Sequence, residues 1–274
     1  MKSSDAIGIF DSGIGGLTVA RAVKTLLPNE RIIYFGDTAH LPYGDKSSQA
    51  IQTYSTKICD FLLDMNCKVI VIACNSASSA SFQSLQNSIG KEVHLLDVIN
   101  PMVDLLCGRF TGQVVGLIGT KQTVTSATYE KMIRQRCKDI TLHSLSTPLL
   151  VPMIEEGLVN ENVSEEILHN YLSHKAFATI SALVLGCTHY PLIKRQIMGI
   201  LEQDGRKVDV LDSAEMVAVS LKKLLTEENL MNPGKVSHDL FYVSDYTESF
   251  EKTTKLFFGT KVSLSKRNIW DGRF

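Results

Sequence analysis

Two stretches of the chain carry a cysteine at the same place in the same local pattern. Residues 69–79 (VIVIACNSASS) and 182–191 (ALVLGCTHYP) each begin as a short continuous apolar run and then stop on small and polar residues, with Cys74 or Cys187 at the break. Such a run reads as a strand buried on both faces of a parallel sheet, so each thiol sits at a strand's carboxyl end. Open α/β sheets place their ligands there, and the segments that follow read as helix starts whose free N–H groups favour anions. Two thiols in two matching positions fit chemistry on two sides of one small, negatively charged molecule.

Other reactive side chains gather at equivalent points. Residues 7–18 (IGIFDSGIGGLT) form a strand and a glycine-rich turn, with Asp11 and Ser12 projecting from the strand end. The turn falls short of a dinucleotide fingerprint, because GxGxxG starting at Gly13 needs glycine where Thr18 stands. Its glycines read instead as room for backbone to approach a small anion, and Asp11 also suits an N-cap of the helix that follows. Pro42-Tyr43-Gly44 reads as a rigid corner, with the Tyr43 hydroxyl and the Gly44 N–H available to a ligand, and equally as a structural turn. His189 lies two residues beyond Cys187, so an aspartate beside one thiol and a histidine beside the other can each take a proton from its cysteine. Residues 148–157 (PLLVPMIEEG) make a loop and short helix carrying Glu155 and Glu156. Cys59, Cys67, Cys107 and Cys137 show neither a CxxC zinc spacing nor a dense disulfide framework, and read as reduced, buried thiols.

The elements that must position these groups repeat. Residues 114–120 copy the opening strand, with Gly116 against Gly8 and Thr120 against Ser12. Residues 183–187 copy 71–74 with one residue of slack, and residues 208–216 copy 93–101. Three correspondences in one order are the residue of a duplicated α/β unit. The expected fold is therefore α/β, with two similar doubly wound parallel-sheet domains related by a pseudo-twofold axis and the active site in the cleft between them. Residues 1–99 plus 211–274 form the first domain (Asp11 and Cys74) and residues 100–210 the second (Cys187 and His189). The halves are chemically unequal, since Gly119 stands where Asp11 would be.

Composition fits a globular enzyme: 274 residues, 44% hydrophobic and 21% charged. A net charge of −1 gives no electrostatic reason to expect nucleic acid or an anionic membrane as partner. No signal-peptide region and no apolar run of spanning length stands out, so a cytoplasmic location is expected. The oligomeric state, a homodimer included, is left open.

These residues also carry a family resemblance. Residues 10–18 (FDSGIGGLT), 35–44 (FGDTAHLPYG), 73–78 (ACNSAS), 185–191 (LGCTHYP) and 241–245 (FYVSD) resemble the signature blocks of glutamate racemases, and the resemblance spans essentially the whole chain. It implies a cofactor-independent, metal-free enzyme that interconverts L- and D-glutamate, supplying D-glutamate for peptidoglycan, with Cys74 and Cys187 as the two acid/base groups. By the same match Asp11, Ser12, Tyr43, Gly44, Asn75, Ser76, Thr188 and His189 bind substrate, and Glu155 lies near the site. Two positions depart from the pattern: Ser76 stands where the family usually has threonine, and His40 where it usually has arginine. Serine keeps the hydroxyl, and His40 concerns a contact behind the chemistry. The corresponding mechanism is two-base proton transfer at an α-carbon, one thiolate removing the proton from one face while the opposite thiol delivers one to the other. Hydrogen-bond donors around the α-carboxylate, among them Ser12, Asn75, Ser76 and Thr188, would stabilise the carbanion. Three other readings stand beside it: an aspartate racemase of the same architecture, disfavoured only by the Thr188-His189-Tyr190 trio; a Cys–His hydrolase, which leaves Cys74 unexplained; and a non-catalytic anion-binding protein, which needs neither thiol.

Overall fold

The computed structural model describes residues 1–90, 93–234 and 238–271. The first half alternates strands and helices: β1 (Ala6–Asp11), α1 (Leu17–Leu26), β2 (Ile32–Gly36), α2 (Ser48–Asp64), β3 (Cys67–Ile72), α3 (Asn75–Ser88), β4 (His94–Asp97) and α4 (Asn100–Arg109). The pattern starts again with β5 (Val114–Gly119), α5 (Lys121–Thr125), α6 (Thr128–Arg136), β6 (Thr141–Ser146), α7 (Leu150–Glu155), α8 (Asn162–Leu172), β7 (Ala182–Gly186), α9 (Lys194–Gln203) and β8 (Asp209–Asp212). The chain then returns through α10 (Ser213–Glu227) to β9 (Leu240–Val243), α11 (Glu248–Phe258) and β10 (Ser265–Lys266).

Every residue of β1, β2, β3 and β7 is buried, which is why these strands read as mostly apolar runs rather than as alternating ones. They build two sheets, in the orders β10-β9-β2-β1-β3-β4 and β6-β5-β7-β8, and all the strand pairings are parallel. The four strands β2-β1-β3-β4 of the first sheet recur as β6-β5-β7-β8 in the second, each pair in the same sequence order. The three copied segments of the sequence are thus β1 with β5, β3 with β7 and β4 with β8. The chain leaves the first sheet through α4 and comes back through α10, which packs against both α1 and α4. The expected division between 210 and 211 falls inside β8, whose last residue is Asp212.

Helix α2 illustrates how local sequence makes an element. Ser47 accepts a hydrogen bond from the Ala50 N–H and so satisfies an otherwise free donor of the first turn, while Ile51, Ile58, Phe61 and Leu62 turn one apolar face inward. The return crossing is fastened by a buried ion pair, Lys68 Nζ to Glu30 Oε2 at 2.6 Å. Lys68 also donates to the carbonyl of Leu230, and Glu30 accepts from the Asn232 N–H, so both charges hold the segment after α10 against β3.

One expectation about the cysteines is corrected. Cys107 and Cys137, read as reduced thiols, are joined in a disulfide with Cα atoms 5.5 Å apart. They are 30 residues apart in sequence and meet because α4 packs on α6 near their C-terminal ends. Spacing alone carries no trace of that packing. Cys59, Cys67, Cys74 and Cys187 are free and buried.

Candidate active site

The two sheets bring their strand ends to one cavity of about 230 Å³. That volume suits an amino-acid-sized ligand, whereas pockets for larger small molecules run from about 300 to 1,000 Å³. From the first sheet side come Ser12, Tyr43, Gly44, Cys74, Asn75 and Ser76, and from the second Glu155, Cys187, Thr188 and His189. Ten of the eleven residues singled out in the sequence thus line one space. Asp11 does not: it is 1% exposed and set behind the lining.

Cys74 occupies the N-cap position of α3. Its backbone is extended and its Sγ accepts from the Ala77 N–H at 3.4 Å, a role usually filled by serine, threonine or aspartate. Asn75 and Ser76 are the first residues of that helix, so its free N–H groups and the positive end of its dipole face the cavity. The Cys74 thiol also touches the Ser12 hydroxyl, at 3.6 Å. Burial, followed by the negative charge of Asp11, pushes the Cys74 thiol up to about 12, against the opposing pull of the Ala77 N–H and the Ser12 contact. It rests as a neutral thiol.

Cys187 follows β7 directly, but the chain beyond it differs from the expected helix start. A short 3-10 turn, Tyr190–Ile193, intervenes before α9, with Pro191 in its first positions. His189 takes over the electrostatic role. Its Nδ1 lies 3.8 Å from the Cys187 sulfur and its Nε2 2.9 Å from Glu155 Oε1. Burial alone would lower the imidazole pKa, yet the contacts with Cys187 and Glu155 outweigh it and raise His189 to about 10. Its pKa favours the protonated imidazolium at neutral pH, the form His189 takes when it accepts a proton from its cysteine.

Asp11 serves the start of α1, one of the two roles its sequence position offered. Oδ2 accepts from the N–H groups of Gly13 and Gly16, both at 3.0 Å, so the carboxylate organises the glycine-rich turn and reaches the N-cap residue of α1. Oδ1 is buried without a partner. Burial raises its pKa, opposed first by the charge on His189 and then by the turn's N–H groups. The turn itself approaches a side chain rather than an anion: a Cβ on Gly15 would sit inside the van der Waals envelope of the His189 ring and crowd Thr188 Oγ1. Thr18, the residue that spoils the dinucleotide fingerprint, donates its hydroxyl to the carbonyl of Thr188 at 3.1 Å.

Tyr43 commits its hydroxyl proton inward, to Asp37 Oδ2 at 2.6 Å, leaving its oxygen as an acceptor. Asp37 also accepts from Ser244 Oγ and meets His40 Nδ1 at 2.9 Å. His40 stacks on Tyr54 and meets Trp270 edge-on, behind Tyr43 and outside the cavity lining. Ser76 Oγ lies 2.9 Å from Thr120 Oγ1. Thr120 and Thr147 are lining hydroxyls that the sequence reading did not assign, although the match of Thr120 with Ser12 in the repeat was a pointer to the first. Among the described residues no group of three or more His, Cys, Asp or Glu side chains is placed to hold a metal ion.

Residues 17–221 match the family model for Asp/Glu/Hydantoin racemase. The chain is 36% identical over 263 residues to a glutamate racemase of Chlorobaculum parvum, covering 96% of this chain and 95% of that one. It superposes with a TM-score of 0.91 on the glutamate racemase of Francisella tularensis in complex with D-glutamate, at 37% identity and covering 98% of this chain and 100% of that chain. The corresponding values for the Thermus thermophilus glutamate racemase in complex with beta-chloro-D-alanine are a TM-score of 0.87, 35% identity, and 97% and 98% coverage.

Proposed function

The chain belongs to the Asp/Glu/Hydantoin racemase family and is an amino-acid racemase, and from that premise we propose that it interconverts L- and D-glutamate by two-base proton transfer between Cys74 and Cys187. The observation that carries the reading is that two free thiols, delivered by equivalent strands of two sheets, line one amino-acid-sized cavity. For one enantiomer Cys187, beside the His189 imidazolium, acts as the base and the Cys74 thiol as the acid. The α-C–H bond breaks as an S–H bond forms at Cys187, and the Cys74 S–H bond breaks as a new C–H bond forms on the other face. For the other enantiomer the roles exchange. Charge developing on the α-carboxylate meets Ser12, Asn75, Ser76, Thr188 and the N–H groups at the start of α3, preorganised donors in a mostly enclosed site. No pyridoxal or metal takes part, and D-glutamate for peptidoglycan is the product the cell would use.

The Cys187–His189–Glu155 chain also has the order of nucleophile, base and orienting carboxylate found in Cys-dependent hydrolases. That reading leaves Cys74 without a task, so racemisation is preferred. The division into two domains, 1–99 with 211–274 and 100–210, belongs to the same proposal, because each domain then contributes one thiol. So does a cytoplasmic location: among the described residues no helix is long and apolar enough to cross a membrane.

The test is chiral analysis of L-glutamate incubated with the protein after dialysis against a chelator, run in D2O. Two bases on opposite faces give D-glutamate that carries deuterium from its first appearance, while recovered L-glutamate stays largely protiated at early times. D-Glutamate that retains its α-hydrogen would refute the two-base assignment, and activity that returns only with a metal or pyridoxal phosphate would refute the cofactor-free one.

A further inference from the structure

Among the described residues that line the cavity, Asn75 carries a fully buried side-chain donor without a hydrogen-bond partner. It is 2% exposed; Oδ1 accepts a hydrogen bond from the Tyr129 hydroxyl at 2.8 Å, and Nδ2 is buried with no partner. A buried donor left unsatisfied costs about 1–3 kcal/mol, so such a group in a cavity wall is poised for a ligand acceptor. The residue that fixes this arrangement comes from the other half of the molecule. Tyr129 stands in the first turn of α6, between β5 and β6, whereas Asn75 opens α3 beside β3. Ala127, in a left-handed conformation at φ 52°, makes the sharp bend that starts α6, and Thr128 Oγ1 donates to the carbonyl of Ser79 on α3. The start of α6 is therefore held against α3 at two successive residues. Tyr129 is 1% exposed. Burial, followed by the charge of Asp97, raises its hydroxyl pKa, so its proton stays available to Asn75.

We propose that Tyr129 is a positioning residue of the racemase site, whose hydroxyl holds the Asn75 side chain with its carbonyl turned away from the ligand and its N–H₂ free for a substrate carboxylate. An amide side chain can rotate to exchange its donor and acceptor ends. Turned the other way, Asn75 would present an oxygen, and no donor, to a substrate carboxylate. Because the bond spans the two halves, it also makes the polarity of a first-domain donor depend on the second domain being docked. The inference rests on glutamate being the substrate, and deepens that reading without following from it.

The experiment is a double-mutant cycle on Tyr129→Phe and Asn75→Ala, with glutamate binding read by calorimetry and racemisation read separately. Loss of a hydrogen bond to a charged group corresponds to roughly a tenfold or larger change in affinity. Tyr129→Phe is expected to weaken binding and raise KM about tenfold, with kcat changing less. In the Asn75→Ala background the same substitution should add nothing, since Tyr129 acts through Asn75. Equal losses in both backgrounds, or no loss in either, would overturn the proposal. Should Tyr129→Phe fail to fold, Asn75→Asp reads the same polarity. It keeps the shape and puts an acceptor where Nδ2 stands, so it should bind glutamate more weakly than Asn75→Ala; binding as tight as wild type would overturn the proposal. A wild-type protein that binds glutamate without racemising it refutes the functional reading instead, and the binding cycle still decides the role of Tyr129.

Discussion

Cys74 and Cys187 are one residue type in two electrostatic settings. A helix N-terminus and a buried aspartate frame the first, and an imidazolium backed by a carboxylate frames the second. In the proposed two-base exchange each thiol serves one face of the α-carbon from its own setting. Cys74→Ser and Cys187→Ser should each lower kcat by about 10²–10⁴, because a hydroxyl is a far weaker acid and a proton must cross both faces. Circular dichroism should stay native for both variants, and a folded variant with normal turnover would contradict the assignment. Glu155→Gln tests the support behind Cys187. His189 is charged below its pKa of about 10, and Glu155 contributes to raising it. Removing that negative charge lowers the pKa, so the alkaline limb of the kcat/KM profile should move to lower pH. An unmoved limb with unchanged kcat would leave Glu155 no role at His189.

At the scale of elements, the glycine-rich turn after β1 is shaped by what packs on it from the second half. Gly15→Ala places a methyl group against the His189 ring, while Gly108, on α4, has nothing within 4 Å of its added Cβ. Overpacking of this kind costs about 1–3 kcal/mol, whereas alanine for glycine at an unobstructed helical position stabilises by about 0.5–1 kcal/mol. Gly15→Ala should therefore lower the melting temperature and cut turnover by displacing His189, and Gly108→Ala should raise the melting temperature with activity unchanged. Similar behaviour of the two variants in thermal melts and racemase assays would show that the turn does not press on His189. This contact also marks the limit of what the sequence discloses. β1, β3 and β7 were legible because strands buried on both faces are mostly apolar, Lys68 in β3 being matched by Glu30, and the cysteines were legible because they follow two such strands. β6 was not: its TLHSLS sequence is half exposed and carries no such run. Nor were the links across the cleft, Gly15 with His189, Ser76 with Thr120 and Tyr129 with Asn75. Each joins residues far apart in sequence, and no local pattern encodes a partner supplied by the other half.

For the molecule as a whole, the repeat has made two sheets that the chain must join twice, and both joints begin in the same way. β4 and β8 occupy equivalent edges and each ends in aspartate, Asp97 before α4 and Asp212 before α10. Asp212 has Lys194 Nζ at 2.6 Å. Asp97 has no lysine; it is 2% exposed and accepts from the backbone and side-chain amides of Asn100, at 3.0 and 2.8 Å. Burial outweighs these bonds and the more distant charge of Arg136, and raises its pKa from 3.8 to about 6. The folded protein thus holds this proton more tightly than the unfolded chain does. Between pH 3.8 and about 6 unfolding releases a proton, so raising the pH through that window favours the unfolded state. The burden is absent below the window and complete above it, about 3 kcal/mol for a shift from 3.8 to about 6. Asp97→Asn keeps an acceptor for Asn100 and removes the charge. Whatever its fixed cost in hydrogen bonding, its stability relative to the wild type should rise by about 3 kcal/mol from roughly pH 4 to roughly pH 7 and then level off. Urea denaturation of both proteins across that range measures the difference directly. A stability difference that does not vary with pH, or that falls as pH rises, would mean that Asp97 is charged without penalty where the chain leaves its first sheet.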